Sequence, residues 1–324
     1  MGQELQLLKS LSNGLFQSGE FLAKQLGVSR TTIWKEMKQL EEQYGLEFHS
    51  VKGRGYRLAM PIELLDESEI YSAMPEHIKK SLDKVEVLPV VDSTNRYLMA
   101  AASQGSNSGR LLFAEQQTAG RGRQGRIWVS PFGCNLYCSL LWQFELAATV
   151  LSGLGIVIAV AVARTLERLV EGIQIKWPND ILYDGKKLAG ILLEMQGEAS
   201  GPAAVVIGVG INVRMPDKQK GIDQAWTDLF QIKNGFDSRN ELACALTTEM
   251  IQAIQTFESE GLGSFIHTWS ERDFLIGKHI DIVLANKQIS GIARGIDNHG
   301  ALQLEVDGTI KHYMAGEVSV KKRW

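Results

Sequence analysis

The stretch from Thr118 to Trp128 constrains the fold most, because glycine and arginine alternate through it and a tryptophan ends it. The glycines let the backbone approach a ligand closely, and the arginines carry fixed positive charge on forked donors that suit carboxylate and phosphate. No helix or strand former dominates the stretch, which predicts a loop that is mobile when empty and ordered when it closes on an anion. The glycines are Gly120, Gly122 and Gly125, and the arginines are Arg121, Arg123 and Arg126.

Two known phosphate-binding motifs do not fit this loop. The P-loop spacing Gly-x4-Gly-Lys-Ser/Thr is absent. The dinucleotide spacing Gly-x-Gly-x-x-Gly fits only from Gly120 to Gly125, and no apolar helix opens behind it. The local pattern therefore leaves a ligand-binding loop and a basic, solvated surface loop or nucleic-acid arm equally open.

Length and charge set the broad class of the protein. With 324 residues, of which 44% are hydrophobic and 22% charged, the chain is expected to hold more than one domain and a sizeable core. Its net charge of −3 excludes a protein that is basic throughout. Any binding to nucleic acid must then be local.

Three further features predict a cytoplasmic protein without membrane association. Met1–Leu11 lacks the basic start and apolar centre of a signal peptide. Leu146–Ala163 is uncharged and long enough to test as a membrane span, but its glycines, hydroxyl residues and five alanines favour a buried helix packed on a sheet. The three cysteines, Cys134, Cys138 and Cys244, are too few for a zinc site and are expected to be buried and reduced.

Residues 1–60 have the pattern of a winged helix-turn-helix. Ser18 and Ser29 can cap two successive helices, and Gly27 can end the first of them at a tight turn. The following helix runs to about Tyr44 and carries an apolar stripe at helical spacing. A hairpin with a basic, glycine-containing tip at Lys52–Gly55 follows as the wing. The stripe consists of Ile33, Met37, Leu40 and Tyr44.

The charge of this head supports contact with DNA. From Phe21 to Arg57 there are seven Lys and Arg against four Glu, a net of +3 in an otherwise acidic protein. The alternative is a helical protein-interaction head with a solvated charged face, but the joint occurrence of two helices, a tight turn and a basic wing favours DNA. Met60-Pro61 is interpreted as a linker. The candidate DNA-binding residues are Arg30, Thr31, Thr32, Lys35, Lys38, Lys52 and Arg54.

The next region predicts a sheet that anchors the glycine/arginine loop at both ends. Val85–Val91 is a predicted strand that ends at Asp92–Asn95, a polar run able to cap a helix or to bind a small polar ligand. Leu111–Glu115 is a strand that leads through Gln117 into the loop. Asn135–Trp142 is the strand that follows it.

A second charged cluster follows the predicted buried helix Leu146–Leu169. A strand at Ile173–Ile175 is expected to continue through Ile181–Tyr183, with a bend or bulge at Pro178. Asp184-Gly185 predicts a two-residue hairpin, so that Lys187 sits on a rigid return strand where an ammonium can be aimed at developing charge. The alternative is an exposed hairpin lysine, which suits Lys186 better.

Further along, Val205–Val213 is a predicted strand whose Gly208 and Gly210 allow close approach of a backbone or a flat ring. Arg214–Ala225 is a candidate second mobile loop, and Trp226 behind it is either a stacking surface for a base or a core anchor. A capping box at Ser238–Glu241 predicts a helix with Leu242, Leu246, Met250, Ile254 and Phe257 buried, stopped by Gly261 and Gly263. From Gly277 the chain reads as short alternating strands of a small barrel that ends at 317–320.

Together these residues resemble the family of bifunctional biotin–protein ligases and biotin-operon repressors. Four motifs occur in that family's order along the chain: Ser93–Asn95, Gly120–Arg126 with Trp128, Lys176–Asp180, and Lys187–Gly190. Each motif is weak alone, but their joint order is specific and the resemblance spans the whole chain. Gln124 departs from the pattern, because some members carry another arginine there, so dimer or operator contacts at that position stay open.

The resemblance implies an α+β multidomain fold. The expected domains are a winged helix-turn-helix at residues 1–60, a mixed-sheet α/β catalytic domain of the biotin/lipoate ligase type at 61–274, and a small SH3-like β-barrel at 275–324.

It also implies two half-reactions. A biotin carboxylate attacks the ATP α-phosphate to give biotinyl-5′-AMP and pyrophosphate, and a lysine of the acceptor protein then takes the biotin. Mg²⁺ is expected with ATP, without a dedicated metal cage. The implied catalytic residues are Lys187, Arg121, Arg123 and Asp180. The implied biotin-binding residues are Ser93, Thr94, Asn95, Gln117, Arg121, Gly122, Arg123, Lys187 and Gly190. The implied ATP-binding residues are Arg123, Arg126, Trp128, Lys176, Asn179, Asn212 and Trp226.

The implied partners are a biotin carboxyl carrier protein, operator DNA and a second copy of the chain, which joins as a homodimer when biotinyl-5′-AMP is bound. Two alternatives remain at this point: a lipoate–protein ligase, and a metabolite-sensing repressor without catalysis.

Overall fold

The computed structural model describes residues 2–145, 150–197, 201–216, 221–235, 238–284, 287–315 and 318–321. Residues 146–149 of the predicted buried helix, residues 217–220 of the predicted second loop, and Glu317 lie outside these ranges.

The N-terminal head folds as the sequence predicts, and its elements are α1 Gln3–Leu11, α2 Gly19–Leu26, α3 Arg30–Tyr44, β1 Phe48–Val51 and β2 Gly55–Leu58. The hydroxyls of Ser18 and Ser29 accept hydrogen bonds from the backbone N–H groups three residues on, at 3.0 and 3.1 Å. Gly27 ends α2 with a left-handed φ of 68°. The four predicted stripe residues of α3 are buried in the core of the head.

The central region contains a seven-stranded mixed sheet. Its elements in chain order are α4 Glu67–Ala73, α5 Glu76–Lys79, β3 Lys84–Val91, α6 Thr94–Ser103, β4 Arg110–Gln117, β5 Leu136–Phe144, α7 Leu154–Glu167, β6 Ile173–Lys176, β7 Asp180–Tyr183, β8 Lys186–Gly197, β9 Ala203–Ile211, α8 Leu229–Lys233, α9 Arg239–Glu260 and α10 Gly263–Arg272. The strand order is β3-β4-β5-β9-β8-β7-β6. The pair β3–β4 is parallel and the other pairs are antiparallel.

Successive side chains of β4 point to opposite faces of the sheet and pack into two different hydrophobic layers. Leu112 packs with Leu98 of α6 on one face. Leu111 and Phe113 belong to the main core on the other face, together with α7 and α9. Among the described residues no helix combines the length and the apolar character that crossing a membrane requires.

The predicted start of α7 is wrong. The prediction begins the buried helix at Leu146, but α7 begins at Leu154 after a short 3-10 turn at Val150–Gly153. A Cβ at Gly153 would lie 2.8 Å from the side chain of Leu262, so the packing favours glycine there, and glycine disfavours a helix. Gly261 ends α9 as predicted, whereas Gly263 stops no helix and instead begins α10.

The segment around Pro178 also differs from the prediction. Residues 181–183 do not continue the preceding strand: β7 turns back and pairs antiparallel with β6, with Lys176 opposite Asp180. Proline has no N–H to offer a ladder, so Trp177, Pro178 and Asn179 form the reversal instead of a bulge.

The C-terminal region is a five-stranded antiparallel sheet. Its strands are β10 His279–Leu284, β11 Lys287–Ile296, β12 Leu302–Val306, β13 Thr309–Tyr313 and β14 Val318–Lys321, in the order β13-β12-β11-β10-β14. It is tied to the central region by the indole N–H of Trp177, which donates to Gly300 O at 3.1 Å. In the segment that leads from α10 to β10, the backbone N–H of Phe274 donates to Ile175 O at 2.9 Å.

An aromatic side chain from the central region is part of the contact between that region and the head. Phe132, on the segment between the glycine/arginine loop and β5, is buried in the head's own core. Its ring stacks on that of Tyr44 at the end of α3, with the centroids 4.3 Å apart. A buried ion pair joins Arg239 and Glu115 at 2.8 Å. The Glu115 carboxylate also accepts a hydrogen bond from Leu65 N, so it helps to hold the segment that links the head to the central region.

We expect Phe132→Ala to loosen the head from the rest of the chain. Removing a buried aromatic ring typically costs about 3–5 kcal/mol. The measurement is urea unfolding of the full chain followed by far-ultraviolet circular dichroism. Phe21→Ala is the matched control, because Phe21 is 53% exposed in the same head. An unfolding midpoint of Phe132→Ala equal to that of Phe21→Ala contradicts the docking role.

Candidate active site

The predicted site residues converge at one edge of the seven-stranded sheet. Because β3 and β4 are parallel, their carboxyl ends meet, and Val91 pairs with Gln117. The cap of α6 and the start of the glycine/arginine loop therefore lie side by side. The main cavity here is lined by Ser93, Thr94, Asn95, Gln117, Arg121, Gly122, Arg123, Arg126 and Trp128. From the second charged cluster it is lined by Lys176, Asn179, Asp180, Lys187 and Gly190.

A network of polar groups forms one wall of the main cavity. Ser93 is the N-cap of α6, and Thr94 and Asn95 are buried in its first turn. Gln117 Oε1 accepts from Thr94 N at 3.0 Å and from Thr94 Oγ1 at 3.2 Å. Ser139 Oγ lies 2.7 Å from both Thr94 Oγ1 and Asn95 Oδ1. Ser139 was not singled out from the sequence, and its signal is a hydroxyl between the apolar residues Cys138 and Leu140 of β5.

Arg121 has a carboxylate partner that the sequence did not suggest. Its guanidinium Nη1 lies 2.7 Å from Glu194 Oε1, and Glu194 Oε2 accepts from Asn95 Nδ2 at 3.0 Å. Gly190 and Glu194 are four residues apart on β8, and this even spacing places both on the face of the sheet that carries the cavity. The loop arginine is thus joined to the polar wall through one carboxylate.

Arg123 reaches across the cavity. It donates to Asn179 Oδ1 at 3.4 Å and to the backbone oxygen of Ala315 in the C-terminal region. Burial lowers the pKa of Arg123, nearby Asp180 raises it, and the neighbouring charge of Arg126 lowers it further. An arginine remains protonated at neutral pH, so this half-buried charge is under-solvated and favours an incoming anion.

Lys187 lies on β8, as predicted, and forms a close ion pair with Asp180 on β7. Lys187 Nζ is 2.6 Å from Asp180 Oδ1, and the side chains are only 14% and 16% exposed. The ammonium is also 5.2 Å from the centroid of the Trp128 ring. A strand, a carboxylate and an indole therefore fix the position of this cation.

Backbone hydrogen bonds join the two sides of the glycine/arginine loop. Gly122 N donates to Arg126 O at 2.8 Å and Trp128 N donates to Gly120 O at 2.9 Å, which makes a narrow backbone pair. Its tip turns at Gln124 and Gly125 with positive φ values of 55° and 74°. Gly120 is needed for the loop itself, since a Cβ there would lie 2.3 Å from Trp128 O.

Two glycines form the surface on which Trp128 rests. Gly190 and Gly210 face each other across β8 and β9. A Cβ at Gly210 would lie 2.5 Å from the indole, and one at Gly190 would lie 2.9 Å from it. The expected close approach of a flat ring at Gly210 is confirmed, and the chain's own Trp128 provides the ring. At Gly208 the approaching group is instead the Asn95 amide.

A second cavity adjoins the main one behind Trp128 and Lys187. It contains Asn212 and Trp226, and it shares Arg126, Trp128, Lys176 and Lys187 with the main cavity. Asn212 Nδ2 donates to the backbone oxygen of Thr227 at 3.1 Å, so its amide fixes the chain around Trp226. Backbone hydrogen bonds from Lys187 N to Ala225 O and from Thr227 N to Lys187 O, both 3.0 Å, hold the same segment beside β8.

The candidate DNA-binding residues lie together on the head. Arg30, Thr31, Lys35 and Lys38 are exposed on α3, and Lys52 and Arg54 are exposed at the tip of the wing. Thr32 is half-buried, with its hydroxyl 2.8 Å from that of Ser29. Its side chain therefore belongs to the cap of α3.

The three cysteines are free thiols. Cys134 and Cys138 are buried, as expected, whereas Cys244 is only half-buried. Burial raises the pKa of Cys134 to about 11 and raises that of Cys138 further. In the described part of the chain, no group of three or more His, Cys, Asp and Glu side chains is placed to hold a metal ion.

Comparison with known proteins identifies the family. The sequence profile of the Biotin/lipoate A/B protein ligase family matches residues 87–212. An HTH domain profile matches residues 3–57, and the profile of the Biotin protein ligase C terminal domain matches residues 275–321.

Relatives extend the match over the whole length. The chain is 41% identical over 319 residues to the "Bifunctional ligase/repressor BirA" of Escherichia coli (strain K12), covering 98% of this chain and 97% of that one. It is 33% identical over 321 residues to the protein of the same name from Bacillus subtilis (strain 168), covering 97% and 96%. A solved structure, "Biotin protein ligase from Aquifex aeolicus in complex with biotin and ATP", aligns with a TM-score of 0.65 and 27% identity over 74% of this chain and 100% of that one. This chain therefore belongs to the family of bifunctional biotin–protein ligases and repressors.

Proposed function

We propose that the protein is an ATP-dependent biotin–protein ligase that also acts as a DNA-binding repressor of biotin synthesis genes. The observation that carries the enzymatic part is the cavity pair, in which a polar wall faces Arg121, Arg123 and Lys187 and a second chamber opens behind Trp128. Such a site can hold an acid and a nucleotide on either side of a cluster of cations.

Biotin is assigned to the main cavity. Its ureido ring offers N–H donors and a carbonyl acceptor, which the groups of Ser93, Thr94, Asn95 and Gln117 can match. The hydrogen bonds among Thr94, Asn95, Gln117 and Ser139 hold these donors and acceptors in place before the ligand arrives, and Ser93 is fixed as the N-cap of α6. Gly122 and Gly190 also line this cavity, and the missing side chain at Gly190 lets Trp128 and Lys187 approach the proposed ligand.

The first half-reaction forms a mixed anhydride. A carboxylate oxygen of biotin attacks the α-phosphorus of ATP, the bond to the bridging oxygen breaks, and pyrophosphate leaves with the electron pair. Both reactants are anionic, so Arg121, Arg123 and Lys187 are assigned to offset their repulsion. Removal of one preorganised donor of this kind typically costs about 3 kcal/mol of barrier, or roughly a hundredfold or more in rate.

Two of these cations are paired with carboxylates that the substrate anions can displace. In the described structure Arg121 pairs with Glu194 and Lys187 pairs with Asp180. In the proposed mechanism the substrate anions replace these partners. Once Lys187 turns to the phosphate, Asp180 is available to accept a proton from the acceptor's lysine ammonium. The amine then attacks the anhydride carbonyl, the bond to the phosphate oxygen breaks, AMP leaves with the electron pair, and the second proton of the nitrogen passes to solvent as the amide forms.

ATP is assigned to the second cavity. Arg126 and Lys176 lie at the junction of the two chambers, Asn179 lines the main cavity beside them, and Trp226 offers a stacking surface for the adenine. Asn212 shapes the chain beside Trp226, and Trp128 covers the junction so that the anhydride is kept from water. Mg²⁺ is proposed to enter with the ATP phosphates, since its coordination favours phosphate oxygens and water, and no step is assigned to it.

The head adds regulation to this chemistry. The acceptor is proposed to be a biotin carboxyl carrier protein of the acetyl-CoA carboxylase type in the cytoplasm. When acceptor is scarce, biotinyl-5′-AMP persists, favours a homodimer, and places two heads on paired operator half-sites. The exposed cations of α3 and of the wing supply the phosphate contacts.

The first test is replacement of Lys187. We expect Lys187→Met to lower the rate of biotinyl-5′-AMP formation by roughly a hundredfold or more, because the charge facing the phosphate is lost. The assay uses ATP, labelled biotin and a biotin-carrier domain, with lipoate in parallel to separate a lipoate ligase. Lys186→Met, at the exposed neighbouring position of β8, is the matched control. Equal rates for the two variants contradict the assignment, and failure of the wild type to transfer biotin contradicts ligase activity.

The second test concerns the cover formed by Trp128. In Gly210→Ala the new methyl group would lie 2.5 Å from the indole, so the ring has to move off the junction. We expect the bound anhydride to hydrolyse at least about tenfold faster, since small displacements at a closed site have large effects. The readout is the rate of biotinyl-5′-AMP loss in single turnover without acceptor. Gly263→Ala, which meets nothing within 4 Å, is the control, and equal lifetimes in both variants reject the role.

A further inference from the structure

Trp34 is a large apolar side chain exposed on the helix that carries the candidate DNA contacts. It is 49% exposed, whereas Ile33 and Met37 beside it are buried in the head. It is the fifth residue of α3 and lies in the N-terminal half of that helix. In helix-turn-helix proteins this half of the recognition helix contacts base edges.

The surroundings of Trp34 are cationic. Arg30, Trp34 and Lys38 follow one another at four-residue spacing and form one exposed stripe along α3. Lys38 Nζ lies 5.9 Å from the Trp34 ring centroid, which places the charge beside the indole. The acidic Glu41 farther along accepts from Phe48 N of the wing at 3.4 Å. An apolar surface flanked by cations is suited to a groove whose edges are phosphates and whose floor is bases.

We propose that Trp34 is a specificity-determining residue that covers thymine methyl groups in the major groove of the operator. The inference rests on the proposed repressor function. Of the four bases only thymine presents a methyl group in the major groove, while the others present hydrogen-bond donors and acceptors there. The indole gains apolar contact over thymine and desolvates a polar edge over any other base.

The packing of α3 leaves Trp34 free for this role. The helix attaches to the head through Ile33, Met37, Leu40 and Tyr44, all of which are buried. Replacing Trp34 therefore leaves the core intact, and it touches neither of the two cavities. A Trp34 variant should keep the circular dichroism spectrum and the biotinyl-5′-AMP synthesis of the wild type.

The test is in vitro selection of DNA from a random library by the full chain, with biotin and ATP present. Wild type, Trp34→Ala and Leu15→Ala are compared. Leu15 is the matched control, because it is an exposed apolar residue of the same head, 63% exposed, that lies outside α3. We expect wild type and Leu15→Ala to select the same sites. Trp34→Ala should lose the preference for thymine at one or two positions of each half-site and keep the preference elsewhere.

A second measurement isolates the methyl group. In the selected site each thymine is replaced in turn by deoxyuridine, which removes only the methyl. We expect wild-type affinity to fall about fivefold to tenfold at the sensitive position, within the usual cost of a changed base pair. Trp34→Ala should show no change there. The salt dependence of binding should be the same for both proteins, since no phosphate contact is lost.

The outcomes separate this inference from the proposed function. If wild type selects no DNA sequence, both the repressor function and the role of Trp34 fail. If wild type selects sites and Trp34→Ala selects the same ones, only the role of Trp34 fails. It also fails if deoxyuridine weakens both proteins equally, or if the preference lost in Trp34→Ala is for a base other than thymine.

Discussion

Repulsion between negative charges is the constraint on which the arrangement of this site depends. Joining a carboxylate to the α-phosphate of ATP requires two anions to approach within bonding distance. Cations can offset this repulsion only if they are held close and partly dry, where a charge acts far more strongly than in water. A cluster of bare cations would destabilise the empty protein. The structure meets both needs by giving Arg121 and Lys187 nearby carboxylates, Glu194 and Asp180, which the proposed substrates replace.

The mixed sheet places these groups by its register. Asp180, Gly190 and Gly210 are consecutive partners across β7, β8 and β9, so a carboxylate lies next to two positions without side chains. The glycines admit the ring of Trp128, which in turn contacts Lys187. The C-terminal region closes the site from outside, through Ala315 O as acceptor for Arg123 and through Val320 in the cavity lining. The site is therefore assembled from strands, the first turn of α6, the glycine/arginine loop and a separate small sheet.

Local chemistry made much of this predictable. The serine caps, the stripe of α3, the Asp184-Gly185 hairpin and the position of Lys187 on a strand each follow from residues close in sequence. The features that sequence reasoning missed are non-local. Glu194 and Ser139 gain their roles only when β8 and β5 come beside α6, and no spacing within one strand indicates that. The reversal at Pro178 was misread because a proline between two apolar runs is compatible with both a bulge and a turn.

The most direct measurement of the central claim is a crystal structure of the full chain with a non-hydrolysable analogue of biotinyl-5′-AMP. We expect the phosphate of the analogue to accept hydrogen bonds from Arg123 and Lys187 at about 3 Å. We also expect Arg121 to have left Glu194 for the ligand and Trp128 to cover the acyl link. A bound analogue whose phosphate lies away from these cations, with the Arg121–Glu194 and Lys187–Asp180 pairs both intact, would contradict the central claim.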